Sequence, residues 1–286
     1  MKIRVIDSIH QLEPQRWNSL CPADYPFCRH EFLAALEDGG CISVSTGWQA
    51  AHLIVEDAGN LIAALPGYVK THSYGEYVFD WAWADAYHRY GMQYYPKWIN
   101  AIPFTPCTGP RLLAREITTG LLAQVYLALN NYCETNAYSG WHCLFPDAPL
   151  SADLVAQGAL QRVGCQFHWF NRDYKSFDDF LAQMNSRKRK NILKERRQVV
   201  EQGIYFSVKE AAQINSDDMD LFYTLYRNTY LKRSGHSGYL SKDFFHRLAS
   251  TFNQHLVVVF AHKSESIIAA ALFFRDATTL YGRYWG

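Results

Sequence analysis

Apolar and polar residues alternate over Lys2–Ile9, the period of a strand with one buried face. Helical spacing follows around Arg16–Leu20 and over His30–Asp38, the latter closed by Gly39 and Gly40. Strand patterns then run through Ile42–Ser45, His52–Glu56, Leu61–Lys70 and Glu76–Ala82, with Gly59 and Asn60 supplying hairpin-turn chemistry. Tyr95–Ala101 reads as a short helix with Pro96 at its first position. Phe104–Leu113 reads as a strand interrupted by prolines. Thr118–Thr135 places Leu121, Leu122, Val125, Leu129 and Tyr132 on one helical face. A strand at Trp141–Phe145, a helix at Ala152–Gln161 and a strand at Cys165–Phe170 complete this half.

Asn171–Ser176 marks a boundary. Ser176 with Asp179 three residues on resembles a capping box, and it opens a helix carrying Phe177, Phe180, Leu181 and Met184. A basic helix over Arg187–Gln202 ends at Gly203, and a strand covers Ile204–Val208. Helices over Met219–Lys232 and Lys242–Phe252 lead into a final group of strands.

One strand pair is written twice. Leu53–Leu65 (LIVEDAGNLIAAL), continuing to Tyr77–Trp81, has a counterpart in Val257–Ala271 (VVVFAHKSESIIAAA), continuing to Tyr281–Trp285. Each copy is an apolar strand, a short polar turn, a second strand ending in small residues, and a third closing on aromatics. A repeat this large predicts two related units, since solenoid repeats recur every few tens of residues. The order of strand, two helices, antiparallel strands, helix, strand and helix resembles the N-acetyltransferase (GNAT) fold. The expectation is a mixed α/β protein with tandem GNAT-like domains, 1–172 complete and 173–286 incomplete after its fourth strand.

The 286 residues carry a formal net charge of +1, which excludes a protein that binds nucleic acid through overall charge. The longest apolar run, Ile267–Phe274, is too short to span a bilayer, and the first residues lack the core of a signal peptide. Seven cysteines without a Cys-x-x-Cys pair or a Cys/His cluster argue for reduced thiols, against zinc, and for a cytoplasmic protein.

His72–Tyr87 (HSYGEYVFDWAWADAY), Tyr94–Lys97 (YYPK) and Pro103–Arg111 (PFTPCTGPR) resemble a bacterial FemAB-like family. Phe180, Leu181, Arg187–Ile192, Glu195–Arg197, Gly203, Ile204 and Tyr281–Trp285 follow its second-half pattern. That family is described as peptidoglycan biosynthesis or recognition and belongs to the acyl-CoA N-acyltransferase superfamily. The resemblance implies transfer of an acyl or aminoacyl group from acyl-CoA or aminoacyl-tRNA to an amine, on a peptidoglycan precursor or amino-acid-derived acceptor. It also implies that the rest of the second domain, with the main donor-binding loop, lies beyond Gly286. The first-half loop Trp81–Gly91 lacks the glycine-rich cradle that holds a CoA pyrophosphate. A non-catalytic recognition module and an inactive truncated member are the alternatives.

Alternation puts Glu76, Val78 and Asp80 on one strand face. Desolvation beside Val78 would raise their pKa towards values suited to a general base, which amine acylation uses. The competing reading pairs both carboxylates with Lys70, Arg89 or Arg111 at the sheet edge. His72 is a third catalytic candidate or a satisfied histidine. Lys97, in a first helical turn beside Tyr95, forms with Arg111 an anion-binding pair or an ordinary solvated surface. Trp81, Trp83 and Trp285 form either a sugar-stacking platform or core. Arg283 is the candidate for stabilising a tetrahedral oxyanion.

Arg187, Lys188, Arg189, Lys190, Lys194, Arg196 and Arg197 crowd one short helix opposed by Glu195 alone, with Ile192, Leu193, Val199 and Val200 as its buried stripe. Such density predicts a tRNA, lipid-pyrophosphate or anionic-membrane contact, or else a solvated helix. Aromatic residues for base stacking are not interleaved with these cations, so a nucleic-acid contact would be to phosphate. The open second sheet also predicts self-association through its edge.

Overall fold

The computed structural model describes residues 1–23 and 25–286, and its elements run in the order strand, helices, strands in both halves. In the first half these are β1 (Lys2–Ile6), α1 (Pro14–Asn18), α2 (His30–Asp38), β2 (Trp48–Ala50), β3 (His52–Asp57), β4 (Asn60–Leu65) and β5 (Gly67–Lys70). They continue through α3 (Trp81–Arg89), β6 (Lys97–Asn100), β7 (Leu113–Ala114), α4 (Thr119–Thr135), β8 (Trp141–Cys143) and α5 (Ala148–Ala156). The second half holds α6 (Phe177–Ala182), α7 (Ser186–Glu201), β9 (Ile204–Glu210), α8 (Ser216–Ser234), α9 (Lys242–Thr251), β10 (Leu256–Lys263), β11 (Ser266–Arg275) and β12 (Leu280–Trp285).

The repeated hairpin is repeated in detail. In β3–β4 the pairs Asp57↔Asn60 and Glu56↔Leu61 are followed by Val55↔Ala63, so Ile62 is the extra residue of a bulge. In β10–β11 the pairs Lys263↔Ser266 and His262↔Ile267 are followed by Ala261↔Ala269, which bulges Ile268 at the same step from the turn. Both hairpins turn through two residues, Ala58–Gly59 and Ser264–Glu265, whose first member has positive φ, matching the twist of tight hairpins. Each hairpin also has an antiparallel neighbour in the strand that opens its half's helical segment, β1 on β3 and β9 on β10.

Two kinks divide the first copy. Ala51 separates β2 from β3 and Pro66 separates β4 from β5, so the strands feed sheets ordered β1-β3-β4-β7 and β2-β5-β6-β8. The kinks stay bonded: Gly67 O accepts from Ala51 N at 2.8 Å, and Pro66 O accepts from Asn100 Nδ2 at 2.7 Å. The second half keeps one sheet, β9-β10-β11-β12. β6 and β8 run parallel, joined by the α4 crossover, while the other strand pairs are antiparallel.

Several sequence expectations are corrected. Tyr77–Trp81 is not the third strand of the repeat. Gly75 and Tyr77 both take positive φ, Glu76 and Asp80 turn inward, and Trp81 begins α3. The third strand is β6, where a helix was expected: Lys97, Trp98, Ile99 and Asn100 are all buried, so no alternation marks it. Phe104–Leu112 is loop, in keeping with Pro106 and Pro110, which cannot donate to a ladder. Ile42–Ser45 keeps a single bridge, Ser43 to Trp48. Cys165–Phe170 pairs with no strand, and Phe167 is 98% exposed. The fifth helix begins at Ala148, four residues ahead of the expected start, because Asp147 caps Leu150 N and Pro149 suits the first turn.

Two apolar clusters hold these layers. α4 lays Leu121, Leu122, Val125 and Leu129 on Leu53, Val55, Ala63, Leu65 and Trp98. The other cluster joins both halves: Phe32 on α2 meets Phe244 on α9 at 5.9 Å and Phe274 on β11 at 5.5 Å. Among the described residues, no helix is long and apolar enough to cross a membrane.

Candidate functional site

The segment between β5 and β6 folds back over the strand ends it connects. Its anchor is Lys97, the first residue of β6, whose side chain is fully buried. Lys97 Nζ donates to Glu76 Oε2 at 2.9 Å, Asp80 Oδ2 at 2.6 Å and Ser73 Oγ at 3.0 Å. The Tyr94 hydroxyl donates to the same Asp80 oxygen at 2.6 Å, and Ser73 shares a 2.7 Å hydrogen bond with Tyr95. Glu76 Oε1 and Asp80 Oδ1 are buried with no hydrogen-bond partner among the described residues.

This arrangement joins four residues singled out from the sequence: Glu76, Asp80, Lys97 and Tyr95. The partner of both carboxylates is Lys97, not Lys70, Arg89 or Arg111. Lys97 therefore has its charge answered and lies on a strand, so the expected free cation in a helical first turn is absent. Burial pulls the Asp80 carboxyl up, but the hydrogen bonds from Lys97 and Tyr94 and the Lys97 charge outweigh it and leave the pKa below its ordinary value. Burial pushes Glu76 the other way, above the usual carboxylate range, with Lys97 and Lys70 opposing.

Three more groups belong to this centre: Lys70, expected from the sequence only as a partner of the two carboxylates, and His142 and Tyr94, for which the sequence predicts no role. Lys70 ends β5, fully buried, with Nζ 3.2 Å from Tyr74 O and 3.8 Å from the centre of the Trp48 ring. His142 on β8 packs edge-on to Tyr94 at 5.9 Å, and burial, helped by Lys97, drops its pKa to about 4. Tyr94 was quoted only as part of a motif. The available signal was a lysine at one end of each of two short runs, closing Gly67–Lys70 and opening Lys97–Asn100.

The remaining candidates lie elsewhere in the surroundings. His72 accepts from Tyr74 N at 3.2 Å and meets the Tyr74 ring edge-on, and burial followed by the Lys70 charge lowers its pKa. Arg111 is fully buried and bonds backbone carbonyls, those of Leu144 at 2.7 Å, Cys107 at 2.7 Å and Pro110 at 3.0 Å. It fixes the β6–β7 connection, with no carboxylate on it among the described residues. Arg283 donates to Phe104 O from β12, and its Nε is buried without a partner. Trp81 and Trp83 are 44% and 51% exposed, and Trp285 is 61% exposed, so none of the three is core. Tyr74 packs on Trp81 at 5.1 Å, which puts an aromatic surface on the outer side of the carboxylate loop.

The basic helix forms as α7, capped by Asn185 accepting from Lys188 N at 2.9 Å. Its apolar stripe is not buried as expected: Leu193 is 43% and Val200 71% exposed. Arg187, Lys188, Lys190, Lys194 and Arg197 are exposed and Arg189 half-buried, with no carboxylate in salt-bridge range of any of them among the described residues.

A family model described as FemAB-like, peptidoglycan biosynthesis/recognition, matches residues 8–286. No curated protein matches the chain.

Proposed function

Because the chain belongs to the FemAB-like family, we propose that it transfers an acyl or aminoacyl group to the amine of a cell-wall precursor or related amino-acid derivative. The observation that carries this reading is the pair of unpartnered oxygens, Glu76 Oε1 and Asp80 Oδ1, buried in the β5–β6 loop. Buried acceptors without donors are uncommon and costly, and an incoming amine offers the N–H groups they lack. The donor would be an acyl-CoA or an aminoacyl-tRNA. Attack of the amine on its carbonyl gives a tetrahedral oxyanion, which collapses to an amide as the thiol or ribose oxygen leaves.

The topology supports a tandem GNAT-like reading. β1, α1, α2, the kinked hairpin, β6, α4 and β8 follow that order, with the parallel β6–β8 pair where such folds receive a donor. The exposed cations of α7 support a contact with tRNA or with a pyrophosphate-bearing lipid.

Recognition without transfer has one observation in its favour. The β6–α4 connection, where a phosphate cradle would lie, contains Pro103, Pro106 and Pro110, each lacking the N–H that holds phosphate. Incubation with labelled alanyl-tRNA or acetyl-CoA and a lipid-linked muropeptide separates the two. Transfer by the wild type that drops at least about 100-fold in Glu76→Gln supports the first reading. Binding of the muropeptide without turnover, unchanged in Glu76→Gln, refutes it.

A further inference from the structure

The second buried lysine of the centre, Lys70, has no carboxylate of its own among the described residues. Lys70 and Lys97 are direct partners across the antiparallel β5–β6 ladder, and both are fully buried. Like charges opposed across a ladder repel, and the repulsion grows away from water. Lys97 holds both Glu76 and Asp80, whereas among the described residues Lys70 Nζ reaches a backbone carbonyl and an aromatic face alone.

Every element packed on Lys70 contributes to its state. The covering loop brings Glu76, His72 and Tyr74, β6 brings Lys97, and β2 brings the Trp48 ring. Glu76 and the ring face favour the ammonium form. Burial is the larger influence and Lys97 adds to it, and together they bring the Lys70 pKa down to about 7.

We propose that Lys70, buried opposite Lys97 without a carboxylate on it among the described residues, passes between ammonium and uncharged amine around neutral pH, and that the amine form takes the proton released when an acceptor amine attacks an acyl carbonyl. The proposal rests on the transfer reading above and moves the proton-accepting role from Glu76 to Lys70. As the new C–N bond forms, one acceptor N–H bond breaks and its proton goes to Lys70 Nζ. The electron pair of the broken acyl bond leaves on the donor's sulfur or ribose oxygen. That atom then takes the proton from the Lys70 ammonium, which restores the amine. Glu76 is near enough to steady the ammonium while it lasts, and its oxygen without a donor faces no competing partner.

The state of Lys70 is measured without any substrate. In protein labelled with ¹³C at lysine Cε, the resonance lost in Lys70→Arg should titrate at about pH 7, while surface lysines titrate above about pH 9. Lys97→Met should move it up by at least about one pH unit, because it removes the like charge opposite Lys70. A wild-type Lys70 titrating above about pH 9 overturns the proposal. In alanyl transfer from alanyl-tRNA to a lipid-linked muropeptide, Lys70→Arg should lose at least about 100-fold in rate while still binding the muropeptide. Wild-type rates in that variant overturn the proton-accepting role. No turnover by the wild type defeats the transfer reading and the proton role together, and the titration alone then decides whether Lys70 is an uncharged amine.

Discussion

Replacing Lys97 by Met tests whether one buried cation holds the β5–β6 loop in place. Methionine keeps most of the aliphatic stem, so packing changes little. What is lost is the ammonium between Glu76 Oε2 at 2.9 Å and Asp80 Oδ2 at 2.6 Å, leaving two carboxylates in a site whose side chains are 0% and 3% exposed. Breaking a buried pair from one side costs about 3–5 kcal/mol. Proton uptake gives an independent figure: a carboxyl with an ordinary pKa near 4 must be neutralised on folding at pH 7, at about 1.4 kcal/mol per pH unit, or about 4 kcal/mol. The two routes agree. In the wild type the depressed Asp80 pKa contributes stability above its unfolded value, lost as pH falls through the folded pKa. The variant has the opposite dependence, since its raised carboxyls protonate on folding and become cheaper to bury as pH falls. Urea unfolding at a series of pH values should therefore show a deficit of about 4 kcal/mol at pH 7 that narrows by about 1.4 kcal/mol per unit towards pH 5. A deficit under about 1 kcal/mol at pH 7, or one constant between pH 5 and 8, refutes the reasoning.

Two further outcomes follow from other parts of the molecule. Arg111→Met should destabilise the chain by about 2–4 kcal/mol, because the carbonyls of Leu144, Cys107 and Pro110 lose their donor. With no carboxylate involved, its deficit in urea unfolding should stay flat between pH 5 and 8, in contrast to Lys97→Met. Reversing Arg187, Lys190, Lys194 and Arg197 to Glu should weaken binding to bulk tRNA and flatten the log–log salt dependence by about 3–4. Thermal stability should hold within about 0.5 kcal/mol, and unchanged tRNA binding at low salt would leave α7 a solvated surface.

Elements with one wet face were legible in the sequence, and those with none were not. Leu121, Leu122, Val125 and Leu129 mark α4 because its other face meets water, and the helix begins within one residue of expectation. α2 and α7 carry comparable periodicity. By contrast, Lys97–Asn100 is buried on both faces, and Pro96 before it mimicked a helix start. Glu76–Trp81 failed for the opposite reason. It alternates as a strand does, but the residues that alternation sends to one face are acids, and a buried lysine distant in sequence draws them into a turn. Carboxylates and lysines reveal no pairing by spacing, because each partner comes from a different element. Glu76 and Asp80 were therefore legible as candidates, while their partner, and the isolation of Lys70, were not.

The internal repeat separates scaffold from chemistry. Both halves build the same bulged hairpin, flanked by the same kind of strand and backed by helices, so that unit is what the fold needs. They part at the connection after the hairpin. In the second half β11 reaches β12 through a tight turn, where Asp276 N donates to Thr279 O and Asp276 Oδ1 accepts from Thr278 N and Thr279 N, both at 2.7 Å. In the first half the same connection runs from residue 71 to residue 96 and contributes Ser73, Glu76, Asp80, Tyr94 and Tyr95. Nothing about closing a hairpin calls for so long an excursion, and burying two acids in it is costly without their cation. An insertion that ends in a buried charged cluster with unsatisfied acceptors, on one copy of a repeated scaffold, is what a site added to a fold looks like. The second copy then supplies the control: it carries the hairpin without the loop, and Leu280 rather than a lysine stands opposite Arg275 at the start of its third strand.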